Sequence, residues 1–196
     1  MTIKFWHNTG GGTFFVSVII TKKIKTPYGE LVAGSIDGKI CLCDWKYRKM
    51  RQGIDRRIQR GFSAAYKEGD SSVLDELERQ FTEYFSGQRK MFDLPLLTVG
   101  TDFQKRVWDA LIKIPYGETE TYQGLADRIN QKSAVRAVAS ANGANALAII
   151  IPCHRIIGAN NTLGGYAGGL DVKRRLLQLE SKNSEGEVSS LRQQVY

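Results

Sequence analysis

The rhythm of apolar and polar positions changes near the middle of the chain. In the first half the apolar runs are short and bounded by turn residues. Phe14 to Ile20 form one such run, suited to a buried strand. Thr26-Pro27-Tyr28-Gly29-Glu30 carries turn chemistry, because Pro27 fixes one backbone angle and Gly29 frees another. The apolar stretch Leu31 to Ala33 follows. Asp37-Gly38 then sits between apolar runs, a strong hairpin signal, with Ile40, Leu42 and Trp45 beyond it. A small antiparallel sheet is expected here.

From residue 71 the spacing turns helical. Residues 71–86 place Leu74, Leu77, Phe81 and Tyr84 on one stripe, with Ser72 and Asp75 as an N-terminal capping pattern and Gly87 at the C′ position. Residues 88–100, with Pro95 and Gly100, read as a linker. Thr101 and Gln104 then make a capping box for a helix whose inner face is Phe103, Val107, Ala110, Leu111 and Ile114, ended by Pro115-Tyr116-Gly117. A short helix from about Tyr122 to Ile129, with Thr121 as N-cap, is followed by a tight turn at residues 130–132. Ser133 caps another helix, Ala134 to about Ala141. Two short helices joined by such a turn are a helix-turn-helix candidate, although helical hairpins are also common packing units. The apolar run 147–151 ends at Pro152, a glycine-rich loop spans 164–169, and a last helix runs from Val172 to Glu180 with Val172, Leu176 and Leu179 inward. The polar tail from Ser181 is expected to be disordered.

Composition narrows the class. Hydrophobic residues make up 42% and charged residues 24%, ordinary for a globular protein that buries a core. No apolar run reaches the roughly 18 residues of a membrane span, and the N-terminus lacks a signal-peptide pattern. The net charge of +8 favours polyanionic partners such as nucleic acid or anionic lipid. The basic stretch Lys46, Arg48, Lys49, Arg51, Arg56, Arg57 and Arg60 reads as a solvated face or connector. The three cysteines, Cys41, Cys43 and Cys153, make no disulfide framework and suit a reducing compartment. Cys41 and Cys43 lie two apart and would share a strand face. With only His7 and His154 as histidines they complete no zinc ligand set, so no metal is expected.

The candidate chemistry is at Ile151-Pro152-Cys153-His154-Arg155, which groups a thiol, an imidazole and a guanidinium. A thiol is a weak nucleophile until it is deprotonated, and a base with nearby positive charge favours the thiolate. A bare Cys-His pair also fits a buried structural cysteine beside a surface histidine. Neighbours in an extended chain point to opposite sides, so His154 needs a turn or a bridging water to serve Cys153.

These residues resemble the active-site segment of the O6-alkylguanine-DNA alkyltransferases. Pro152-Cys153-His154-Arg155 is preceded by Asn142-Gly143-Ala144-Asn145 and followed by Gly165-Tyr166-Ala167-Gly168-Gly169-Leu170. The similarity extends from Phe103 to Glu180 and includes Ile114-Pro115-Tyr116-Gly117-Glu118-Thr119, Thr121-Tyr122 and Ala134-Val135-Arg136-Ala137-Val138. It is weaker in the N-terminal half, chiefly at Thr26 to Leu31. The resemblance implies that Cys153 accepts the alkyl group, that His154 is its base through a water, and that Glu180 orients the imidazole. It implies that Asn145 braces the turn before the cysteine and that Tyr122 donates toward guanine N3. Arg136 would enter the duplex where the nucleotide flips out, on a helix whose small residues Ser133, Ala134, Ala137 and Ser140 lie in a minor groove. Ile156, Tyr166, Ala167 and Gly168 would form the base pocket, with backbone groups of Cys153, Ile156 and Ala167 contacting the base and the glycines shaping its lip. Ala146 and Ala148 depart from the pattern, since many relatives carry proline after the asparagine; this bears on the pocket's rigidity and width.

Without the resemblance, Tyr122 reads equally as a core residue, Arg136 as a surface arginine and Glu180 as a helix-end carboxylate. The expected fold is α+β. A small N-terminal β-sheet domain (residues 1–95, ribonuclease-H-like as the resemblance implies) supports a C-terminal helical domain with the helix-turn-helix (96–182), and a tail covers 183–196. The expected activity is single-turnover, irreversible transfer of the alkyl group from O6-alkylguanine in double-stranded DNA to Cys153, by base flipping and without a cofactor. The protein would be a monomer off the membrane, in a microbial cytoplasm or a nucleus. Two rivals are a non-catalytic damage binder, which would lack the acceptor cysteine, and a cysteine hydrolase, which leaves Tyr122, Arg136 and the helix-turn-helix without a role.

Overall fold

The structure is a computed structural model that describes residues 17–193, with side chains to residue 184. His7 and the first residues of the Phe14–Ile20 run lie outside the described residues.

Three strands, β1 (Ser17–Thr26), β2 (Gly29–Ile36) and β3 (Lys39–Trp45), form an antiparallel meander. The expected hairpin is present. Asp37 and Gly38 both have positive φ (+49° and +72°), as a two-residue turn between right-twisted strands requires. A fourth strand, β4 (Ala64–Glu68), pairs parallel with β1 and gives the order β3-β2-β1-β4.

Helices cover both faces of this sheet. Helix α1 (Arg51–Phe62) turns Ile54 and Ile58 onto Ile19, Ile36, Cys41, Leu42 and Ala64. Helix α2 (Ser72–Phe85) covers the other face with the expected stripe, Leu74, Leu77, Phe81 and Tyr84. Ser71, not Ser72, is its N-cap residue, and the Ser71 hydroxyl bonds Ser35 across the sheet at 2.8 Å instead of a backbone amide. Gly87 has the positive φ expected at C′.

Cys41 and Cys43 do not share a face. The β2–β3 register slips at Gly34/Ser35, and the bulge sends Cys41 to the α1 side while Cys43 stays on the α2 side. Among the described residues no group of three or more His, Cys, Asp or Glu side chains could hold a metal ion.

The second half is helical. Helix α3 (Asp102–Ile112) begins with the predicted capping box. Helix α4 (Tyr122–Arg128) is capped by the Thr121 hydroxyl, and Asn130 carries the chain through the turn with positive φ. Helix α5 (Val135–Gly143) starts after Ala134, so Ser133 is not its cap. The segment around Cys153 is a one-turn 3₁₀ helix (Cys153–Arg155) that follows isolated bridges at Leu147, Ala148 and Ile151, not an extended strand. A two-residue parallel pair, β5 (Glu120–Thr121) with β6 (Ile156–Ile157), ties it to the start of α4.

Helix α6 runs over Leu170–Gln193, starting earlier than expected and continuing through the region read as a disordered tail. No proline interrupts this region, and Asn183 and Ser184 bond back to Tyr116. Residues 194–196 lie outside the described residues. No helix of the described residues is long and apolar enough to cross a membrane. One apolar cluster joins the α2 face of the sheet to α3, α4, α5 and α6, so the two halves share a core.

Candidate active site

Cys153 lies where this core meets an open cleft of about 930 Å³. The residue is only 4% exposed but lines the cleft. Asn145 braces the approach as expected, and more directly than expected. Its Nδ2 donates to the Ile151 carbonyl at 2.9 Å and to the Cys153 sulfur at 3.2 Å, while its Oδ1 accepts from the Leu147 amide. Burial pushes the Cys153 thiol pKa up, with Asn145 and the charges of Arg48 and Lys173 pulling against that rise and Asp44 adding to it. At rest the group is therefore a thiol, and a base must remove its proton before it attacks.

The 3₁₀ turn brings His154 and Arg155 inward together, both onto Glu180. His154 Nε2 is 2.9 Å from Glu180 Oε1, and Arg155 Nε donates to Oε2 at 2.8 Å. The Tyr84 hydroxyl donates to Oε1 at 2.7 Å and the Gly117 amide to Oε2 at 3.2 Å. Burial alone would raise the Glu180 carboxyl, but pairing with His154 and Arg155 outweighs it and holds the group well below the usual carboxylate range. Burial lowers the His154 pKa against the upward pull of Glu180. The carboxylate does not depend on the imidazole alone, because Arg155, Tyr84 and the Gly117 amide also donate to it. His154 Nδ1 is buried with no partner, an open site for a proton on the ring.

Tyr122, Asn142, Gly143 and the loop 162–169 line the cleft, together with residues 28–30 and 45–50 of the N-terminal half. Tyr166, Ala167 and Gly168 line it. Ile156 does not, being fully buried, with its amide bonded to the Cys153 carbonyl and its own carbonyl to Lys173. The Tyr166 hydroxyl accepts from Trp45 Nε1 at 3.1 Å. Gly168 must be glycine, since a Cβ there would come within 2.7 Å of the Trp45 indole. On α5, Ala139 and Asn142 face the cleft, while Ser133, Arg136, Ala137 and Ser140 are exposed on the outer side and Ala134 is half-buried.

Several residues here had no role from sequence. Arg155 stood inside the recognised motif. Lys173, fully buried, donates to the Ile156 and Leu163 carbonyls and so ties the cleft loop to α6. Arg48 and Arg57, read as part of a solvated basic face, instead reach the carbonyls that follow α5, because those carbonyls end a helix and need donors.

Comparison with known proteins places the chain among DNA alkyltransferases. Residues 102–182 match the family described as 6-O-methylguanine DNA methyltransferase, DNA binding domain. The constitutive methylated-DNA–protein-cysteine methyltransferase of Bacillus subtilis is 40% identical over 163 residues, 80% of this chain and 92% of that one. A methylated-DNA–protein-cysteine methyltransferase of Methanosarcina barkeri is 56% identical over 108 residues, 55% of this chain and 68% of the relative. The crystal structure of Mycobacterium tuberculosis OGT in complex with DNA superimposes with a TM-score of 0.72 at 38% identity, covering 85% of this chain and 94% of that one.

Proposed function

This chain belongs to the methylated-DNA–protein-cysteine methyltransferase family, and we propose that it works through Cys153, acting once per molecule. It repairs DNA by direct transfer of the alkyl group from O6-alkylguanine to its own cysteine. The observation that carries the assignment of the acceptor is a sulfur at the edge of an open cleft, braced by Asn145 and next to a buried His154–Glu180 pair.

The alkyl carbon of a stacked base cannot be approached in line, so the nucleotide flips out of double-stranded DNA into the cleft. The outer side of α5 enters the minor groove with Ser133, Ala134, Ala137 and Ser140, and Arg136 fills the gap. The thiol proton passes to His154 through a water, and Glu180 stabilises the imidazolium. The thiolate then attacks the alkyl carbon, an S–C bond forms and the C–O6 bond breaks. The electron pair passes to the guanine, where Tyr122 donates toward N3 and spreads the developing charge. In net terms the thiol proton ends on guanine and the alkyl group on sulfur. The thioether has no ready reverse path, so turnover stops at one. No step requires a metal or redox cofactor, and a monomer suffices.

Intact mass after incubation with O6-methylguanine duplex tests this. One added methyl on Cys153, absent in Cys153→Ala, is expected. Tight DNA binding with unchanged mass would overturn transfer, and repeated turnover would overturn the single-use chemistry.

A further inference from the structure

The N-terminal half reaches the sulfur through one buried ion pair. Asp44, at the end of β3, is fully buried, and Arg48 Nη1 binds its Oδ2 at 2.8 Å. The same Nη1 donates to the Asn145 carbonyl at 2.8 Å, and Nη2 donates to the Gly143 carbonyl. Arg57 holds the carbonyl between them, that of Ala144, at 2.7 Å. Strand β3 completes the attachment through the Cys43 amide to the Ala146 carbonyl and the Ala148 amide to the Cys43 carbonyl. Three successive carbonyls at the C-terminal end of α5, those of Gly143, Ala144 and Asn145, are thus held by two arginines from the other half of the chain. Asn145 is the residue whose side chain donates to the Cys153 sulfur. Its carbonyl and its amide therefore connect Arg48 to the nucleophile within one residue.

A buried ion pair is a poor device for stability alone, because desolvating two charges offsets most of their attraction. Its placement points to another use. Resting on the transfer reading above, we propose that Arg48 and Asp44 are a positioning pair for the reaction: Asp44 holds Arg48, Arg48 fixes Asn145 and hence the sulfur, and the pair places one charge of each sign behind the residue that contacts it. Arg48 favours the thiolate and Asp44 opposes it. The other groups set around the sulfur are Tyr122 of α4, Tyr166 of the cleft loop and Lys173 of α6, together with neighbouring His154 and its partners Glu180 and Arg155.

The test is the rate of Cys153 carboxamidomethylation by iodoacetamide against pH, read by peptide mass so that Cys41 and Cys43 do not interfere, in Arg48→Gln, Arg48→Lys and Asp44→Asn. This readout needs no DNA and is independent of whether a methyl group is transferred. Both Arg48→Gln and Asp44→Asn break the same pair and both lower the melting temperature. Only a field acting on the sulfur moves the thiol pKa up in the first and down in the second. Arg48→Lys keeps the charge, so it holds the thiol pKa near the parent value while losing the two-pronged grip on Gly143 and Asn145. Single-turnover transfer then slows in Arg48→Lys and slows further in Arg48→Gln. Shifts in the same direction in Arg48→Gln and Asp44→Asn, or none in either, overturn the proposal. Opposed shifts in the two variants, with a parent protein that gains no methyl from O6-methylguanine DNA, would overturn the transfer reading and leave the thiol's dependence on the pair standing.

Discussion

Glu180 Oε1 lies 2.9 Å from His154 Nε2, while Nδ1 of the same ring is buried without a partner. One nitrogen is thus committed to the carboxylate and the other is free to exchange a proton. Glu180→Gln keeps the shape but removes the charge that stabilises a protonated ring. The expected result is a fall in the single-turnover transfer rate of about a hundredfold or more, in the range of general-base contributions. Arg155 also loses its buried counter-charge, so the melting temperature falls with the rate. Rapid-quench transfer and thermal melting measure the two effects, and His154→Gln should reproduce the first.

The same pair makes stability depend on pH. Burial depresses the His154 pKa, so the unfolded chain, at about 6.5, takes up its proton first as pH falls. Stability from this group is present above about pH 6.5 and is lost as pH drops toward the lower folded-state value. The Glu180 carboxyl is also depressed, so its share is present above about pH 4.3 and is lost only at stronger acid. The urea midpoint should hold at neutral pH, decline below about 6.5 and drop again below about 4.3. In His154→Gln the first decline should be absent and the second retained.

Arg136 stands exposed on the outer side of α5, away from the sulfur's own hydrogen bonds. Arg136→Ala should leave stability within about 0.5 kcal/mol and leave Cys153 reactivity toward the free base O6-methylguanine unchanged. Transfer from duplex DNA should slow about tenfold, because unstacking costs a few kcal/mol and the side chain offsets part of it. Equal losses on free base and duplex would show that Arg136 acts on the pocket rather than on the flipped-out gap.

The limits of the sequence follow from chemical distance along the chain. The Asp37-Gly38 hairpin, the Thr101–Gln104 capping box and the Thr121 cap were legible because each is closed by residues within a few positions. Cys153, His154, Asn145 and Tyr122 stood out because they sit in contiguous motifs. Arg48 and Arg57 did not, because their partners lie 97 and 87 residues away, and a run of arginines looks the same whether it faces water or caps a distant helix. The contact of Tyr84 with Glu180 was hidden for the same reason: helical spacing marked Tyr84 as a core residue, and its hydroxyl finds a partner 96 residues on. The 3₁₀ turn at Cys153 could be anticipated only as a need, since an extended chain would have split Cys153 from His154.

Ala148 gives a test of how the two halves hold the segment before the cysteine. Its amide donates to the Cys43 carbonyl at 2.6 Å, and both residues are buried. Proline has no amide hydrogen, so Ala148→Pro deletes this bond and leaves a buried carbonyl of β3 short of its donor. The expected cost is about 1–3 kcal/mol in urea unfolding. Because Leu147 and Asn145 share that segment, the Asn145 bond to the sulfur should loosen too, so transfer slows by more than DNA binding weakens. Ala148→Gly keeps the amide and separates the two contributions: it should restore most of the rate, and a glycine variant as slow as the proline variant would place the defect in side-chain packing instead of the lost bond.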